Sequence, residues 1–148
     1  MLPYGRQTID EDDIAAVAEV LRGDYLTTGP MVSTFEKALC DATGAKYAVV
    51  CGNGTQALHL AMLALDLKEG DAVVVPTMTF LATANAARYC GAEVIFADVD
   101  PESGLMDETH LEQALERAED LKVKAVLPVH LKGQCVDSAA LRKAADMH

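Results

Sequence analysis

The stretch Val49-Val50-Cys51-Gly52-Asn53-Gly54-Thr55-Gln56-Ala57-Leu58-His59 changes character in its middle. An apolar β-branched run stops at two glycines, and a pattern suited to a helix starts directly after them. A strand that turns through glycines into a helix leaves several backbone N–H groups without intrahelical partners at the positive end of the helix dipole. Such a turn is a site for a phosphate group. Thr55 adds a hydroxyl at the helix start beside those free donors.

Downstream, the same strand-then-helix rhythm repeats. The pattern predicts strands over 47–51, 72–75, 93–97 and 123–129, and helices over 56–65, 81–90 and 108–119, with one more opening after Asp137. Short, almost wholly apolar strands that alternate with helices indicate a mostly parallel sheet covered by helices on both faces, an α/β fold. Upstream, Thr8 and Glu11 have capping-box spacing, and Ile14, Val17, Val20 and Leu21 then recur on one helical face as far as Gly23. A second helix is expected from Ser33 to Thr43, closed by Gly44. Between these two lies the loop Asp24-Tyr25-Leu26-Thr27-Thr28-Gly29-Pro30. The organisation expected is an N-terminal arm with two helices over 1–45, then the first part of an α/β domain over 46–148.

Bulk properties narrow the partners. With 12 basic and 23 acidic residues among 148, the net charge is −11. A general phosphate-backbone surface for nucleic acid is therefore not expected, and any bound phosphate must be held locally. No run reaches the roughly 18 apolar residues that a membrane span needs, and the N-terminus has no charged-then-apolar leader. Cys40, Cys51, Cys90 and Cys135 lack C-x-x-C pairing and mostly lie in apolar runs, so they read as reduced core thiols of a cytoplasmic protein. The four histidines have no metal-ligand spacing, and no metal site is expected.

Gly52-Asn53-Gly54-Thr55-Gln56-Ala57 formally fits the dinucleotide fingerprint G-x-G-x-x-A. That reading requires an acidic residue at the end of the second strand to hold a ribose hydroxyl. Here the second strand ends in Val75-Pro76-Thr77, and Asp71 stands at its beginning. The loop Pro76-Thr77-Met78-Thr79-Phe80 comes next at the strand ends, where parallel folds place ligands. Phe80 is either ordinary core or a ring that stacks on a flat ligand beside the phosphate turn.

Taken together, the runs 52–61 and 70–85 resemble the nucleotide-sugar aminotransferases of the DegT/DnrJ/EryC1/StrS family. Thr27-Thr28-Gly29-Pro30, Phe96-Ala97-Asp98-Val99-Asp100-Pro101 and Pro128-Val129-His130-Leu131-Lys132-Gly133-Gln134 occur in the order and spacing of that family. The resemblance implies the N-terminal part of the large domain of a pyridoxal-phosphate-dependent transferase of fold type I. It puts the cofactor phosphate on Gly54 and Thr55, with Phe80 stacked on the pyridine ring, and lines the nucleotide-sugar site with Tyr4, Asp24, Tyr25, Leu26 and Thr27. His130 and Gln134 fall near that site; Lys132 stands where the family often carries an aromatic or apolar residue.

The opening, residues 3–14, is similar to a branch that aminates C4 of a UDP-linked 4-keto-6-deoxy-HexNAc sugar on the route to pseudaminic acid. Glutamate is the amino donor implied, and a homodimer completes the active site. The lysine that forms the Schiff base and the aspartate that pairs with the pyridine nitrogen are expected downstream of residue 148, so no catalytic residue is assigned and this piece alone is expected to be inactive. Lys37, Lys46, Lys68, Lys122, Lys124, Lys132 and Lys143 read as surface charges. Two alternatives stay open: a sugar 3-dehydratase of the same family, with His in place of the Schiff-base lysine, and a non-catalytic nucleotide- or flavin-binding module.

Overall fold

The computed structural model describes residues 5–118 and 120–148. They contain α1 (Glu11–Arg22), α2 (Pro30–Thr43), α3 (Gly54–Ala64), β1 (Asp71–Pro76), α4 (Leu81–Tyr89), β2 (Glu93–Ala97), α5 (Glu108–Glu116), β3 (Lys122–Val126) and α6 (Ser138–Ala145). The chain divides into two compact units, the first ending at Val50 and the second running from Cys51 to His148.

In the first unit, α1 starts later than the Thr8/Glu11 spacing suggests. Asp10 is the cap: its carboxylate accepts the N–H groups of Asp12 and Asp13, and the Asp13 carboxylate accepts the Asp10 N–H in return. The capping-box logic holds two residues further on, because an aspartate adjacent to the first turn reaches the orphan donors that Thr8 cannot. α2 begins at Pro30 rather than Ser33, since proline at the first helical position gives up no needed N–H. Gly44 ends it in the left-handed conformation, with φ of 73°.

The run over 47–51 is not a strand. A strand is secured by the ladder it joins, and no ladder partner lies alongside this segment among the described residues. One of its N–H groups, that of Val50, is held instead by the Glu36 carboxylate at 3.1 Å.

The second unit carries a three-stranded parallel sheet in the order β2-β1-β3. β1 is central and buried along its whole length. Val73 and Val75 pack with Met62, Leu67, Ala84 and Ala87 from the α3 and α4 side. Val74 faces the other way, onto Met106, Leu111, Ala114, Leu141 and Ala144 from the α5 and α6 side. Each fully buried valine contributes roughly 2 kcal/mol relative to exposure. The α/β expectation, helices on both faces of a parallel sheet, therefore holds.

The β1–β3 ladder slips by one residue. Ala72 pairs with Val123, but Val73 pairs with Ala125, so Lys124 is left over as a bulge. The slip reverses the facing of the rest of β3. Val123 packs on the α5/α6 side, while Ala125, only two residues on, packs on the α3/α4 side.

Lys124 is consequently not a free surface charge; its side chain is 21% exposed and its ammonium lies 3.2 Å from Asp71. Nor are the cysteines core residues. Cys51 and Cys135 are exposed because they sit in connections at the ends of elements, and Cys40 and Cys90 are half-buried. No described helix is long and apolar enough to cross a membrane.

Candidate functional site at the glycine turn

Asn53 has extended backbone and caps α3, its side chain accepting the Gln56 N–H at 2.9 Å. The first intrahelical bond is from Ala57 to the Asn53 carbonyl. Between these, the N–H groups of Gly54 and Thr55 have no acceptor among the described residues. They are the donors a helix start leaves open, and they lie at its positive pole. Gly54 has ordinary φ, and a Cβ built on it would meet nothing within 4 Å. Neither backbone strain nor packing explains the missing side chain; the space over it suits a ligand that approaches the backbone.

Phe80 stands at the cap of α4, in the connection after the carboxyl end of β1. This connection is held by Thr77 N–H on the Ala97 carbonyl at 2.9 Å and by the Thr79 and Thr83 hydroxyls at 2.8 Å. Phe80 itself is 77% exposed and takes no part in the core formed by the described residues. Gly54, Thr55, Ala57, Leu58, Phe80 and Ala82 together line a cleft of about 590 Å³. The three residues expected to hold a cofactor are thus gathered in one place, with Ala57, Leu58 and Ala82 completing its apolar wall. In the sequence Leu58 is legible only as a helix-face residue, since its spacing of three from Thr55 suits core and cleft equally.

Asp24, Tyr25, Leu26 and Thr27 form the α1–α2 loop of the first unit, where Tyr25 and Leu26 are exposed. The loop folds tightly on itself: a Cβ on Gly29 would lie 2.7 Å from the Tyr25 Cβ. Tyr4 falls outside the described residues. His130 and Gln134 come after β3 and do not line the cleft. The His130 Nδ1 accepts the Val136 N–H at 3.2 Å, so it fastens its own loop. Lys132 and Gly133 both have positive φ, 55° and 79°, and the Gln134 N–H closes that turn on the Leu131 carbonyl. The turn is tight despite the lysine. His59 packs edge-on against Tyr89 between α3 and α4.

Asp100, in the loop after β2, spends its carboxylate on its own turn. Bonds from the Ser103 N–H and hydroxyl, aided by the Glu102 N–H, hold its pKa below the ordinary value against its partial burial. A larger groove of about 860 Å³ runs along β3 between α5 and α6 and contains none of the turn residues. It lies along β3, an edge strand of the sheet formed by the described residues.

A parallel α/β unit with an open helix-start turn and an exposed ring in one cleft matches the fold of the pyridoxal-phosphate-dependent aminotransferases. The PLP form of a Streptococcus pneumoniae protein described as a sugar aminotransferase superposes with a TM-score of 0.87 at 32% identity, over 97% of this chain and 36% of that one. The DegT/DnrJ/EryC1/StrS aminotransferase family model matches residues 7–148, and the chain belongs to that family. It is 40% identical to GDP-perosamine synthase of Caulobacter vibrioides over 95% of its own length. It is 37% identical to UDP-4-amino-4-deoxy-L-arabinose–oxoglutarate aminotransferase of Shewanella sediminis, again over 95%. The chain spans about a third of these relatives, 37% and 35% of their lengths.

Proposed function

We propose that this chain is the cofactor-phosphate-binding part of a pyridoxal-phosphate-dependent aminotransferase that aminates C4 of a nucleotide-linked keto sugar. The observation that carries the reading is the shared cleft of Gly54, Thr55 and Phe80. The N–H groups of Gly54 and Thr55 and the Thr55 hydroxyl would bind the phosphate, and the Phe80 side chain would flank the ring. The bound cofactor supplies the electron sink for the transfer. The chain's own residues anchor and orient it.

The finer reading is a UDP-4-amino-4,6-dideoxy-N-acetyl-β-L-altrosamine transaminase of pseudaminic acid biosynthesis, acting as a homodimer. It is supported by the resemblance of residues 3–14. Two relatives whose names specify nucleotide-sugar amination or synthesis favour the substrate class. Oxoglutarate in one of those names favours glutamate as the donor, since oxoglutarate is the keto acid that glutamate leaves behind.

The test uses the full-length protein with pyridoxal phosphate, glutamate and either a UDP-linked 4-keto-6-deoxy-HexNAc or a GDP-linked keto sugar. A visible absorbance band abolished by borohydride, with aminated UDP-sugar formed, is expected. Amination of the GDP-sugar alone would overturn the substrate. Loss of the C3 hydroxyl without amination would identify a dehydratase, and an unchanged spectrum with no turnover would overturn the cofactor reading.

A further inference from the structure

Gln56 is exposed and does not line the cleft, yet two bonds of the turn pass through it. Its main-chain N–H donates to Asn53 Oδ1, and its side-chain Oε1 accepts the Gly52 N–H, both at 2.9 Å. Because the Gly52 partner is an N–H, the atom facing it must be the carbonyl oxygen of the amide. Gly52 is shaped to receive that amide. Its φ is ordinary, and a Cβ placed on it would stand 2.9 Å from Gln56 Oε1. The missing side chain at 52 therefore makes room for Gln56, as the missing one at 54 leaves the cleft open.

The two glycines thus have separate tasks. Gly52 N–H and Gln56 N–H are satisfied within the turn, whereas Gly54 N–H and Thr55 N–H have no acceptor among the described residues. A turn already closed on itself need not reorganise when an anion arrives, and such pre-organisation appears as affinity.

We infer that Gln56 is a positioning residue, which clamps Gly52 and so holds the Gly54 and Thr55 donors in the ligand-ready arrangement. This rests on the reading that the turn takes the cofactor's phosphate. Pyridoxamine phosphate is the probe, because it binds the full-length protein without a covalent link to lysine. Three variants are compared with the wild type: Gln56→Met, which keeps the length and loses the acceptor; Gly52→Ala, which pushes the acceptor away; and the pair.

Each single substitution is expected to weaken pyridoxamine phosphate binding roughly tenfold. The pair should do little more than either alone, since both remove one interaction. Faster exchange of the Gly52 amide in the ligand-free Gln56→Met protein, with an unchanged Tm, is the accompanying signature. Unchanged affinity, unchanged Gly52 exchange or multiplicative effects would overturn the inference. So would an affinity loss matched by a lower ligand-free Tm, which would make Gln56 a plain helix cap. If the wild type itself fails to bind the probe, the cofactor reading falls first and takes this inference with it.

Discussion

The ammonium of Lys124 lies 3.2 Å from the carboxylate of Asp71, which is only 3% exposed, and 2.7 Å from the carbonyl of Asp66 just beyond α3. One lysine thereby ties the start of β1 and the exit from α3 to β3. It also explains why the acid at the head of β1 serves no ribose: it stands at the sheet end opposite Phe80, already paired. Burial pushes the Asp71 pKa up. The Lys124 bond, the Lys68 N–H and the charges of Lys124 and Lys122 outweigh this and hold it below the ordinary carboxylate value.

A carboxylate with a depressed pKa in the native chain contributes stability that is complete above its unfolded pKa and drains away as pH falls through its folded one. Replacing Asp71 by Asn should lower stability at neutral pH and flatten the acid limb as pH falls through and below the ordinary carboxylate range. Urea midpoints across that range are the measurement. An acid limb that keeps its wild-type slope would show that Asp71 is not the group responsible.

Gly54→Ala separates fold from ligand. The new methyl enters open space, so the ligand-free protein should melt within about 0.5 kcal/mol of wild type. The same methyl occupies the cleft, and pyridoxamine phosphate affinity should fall by at least roughly tenfold. A melting curve and a titration of one variant suffice; undiminished affinity would place the phosphate elsewhere.

Gly104 and Gly44 make a matched pair, with φ of 74° and 73°. An alanine at either position meets left-handed strain of about 1 kcal/mol. At Gly104 its Cβ would also lie 3.0 Å from Leu131 Cδ2 and 3.1 Å from Met78 Sδ, whereas at Gly44 it meets nothing. Gly104→Ala should exceed Gly44→Ala by roughly 1–2 kcal/mol in chemical denaturation. Equal losses would mean that Leu131 and Met78 swing aside freely.

The α1–α2 loop offers a test of substrate contact. Gly29→Ala forces the loop off Tyr25 and should raise the KM for the nucleotide sugar several-fold while leaving pyridoxamine phosphate affinity unchanged. Unaltered KM would remove Asp24 to Thr27 from the sugar site.

Local chemistry makes much of this legible in the sequence. The glycine turn, the apolar β1 and the strand-end position of Phe80 are all readable, because each depends on neighbours in sequence. The features that escape a sequence reading depend on partners far along the chain. The run 47–51 has strand composition, but composition does not supply a ladder. Lys124 reads as surface until Asp71, some fifty residues earlier, is seen beside it. The exposure of Phe80 and the closure of Gln56 on Gly52 likewise emerge only from the folded chain.

The slip at Lys124 has a bearing on how the strand tolerates insertion and deletion. Removing that one residue would set Ala125 directly after Val123, opposite Val73 directly after Ala72, and the ladder would close without interruption. Every later residue would keep its present partner and face. Elsewhere in a doubly covered strand, losing one residue turns the whole remainder inside out. Position 124 is therefore where β3 can change length by one without losing its phase, and such a change forfeits the ties of Lys124 to Asp71 and to the Asp66 carbonyl.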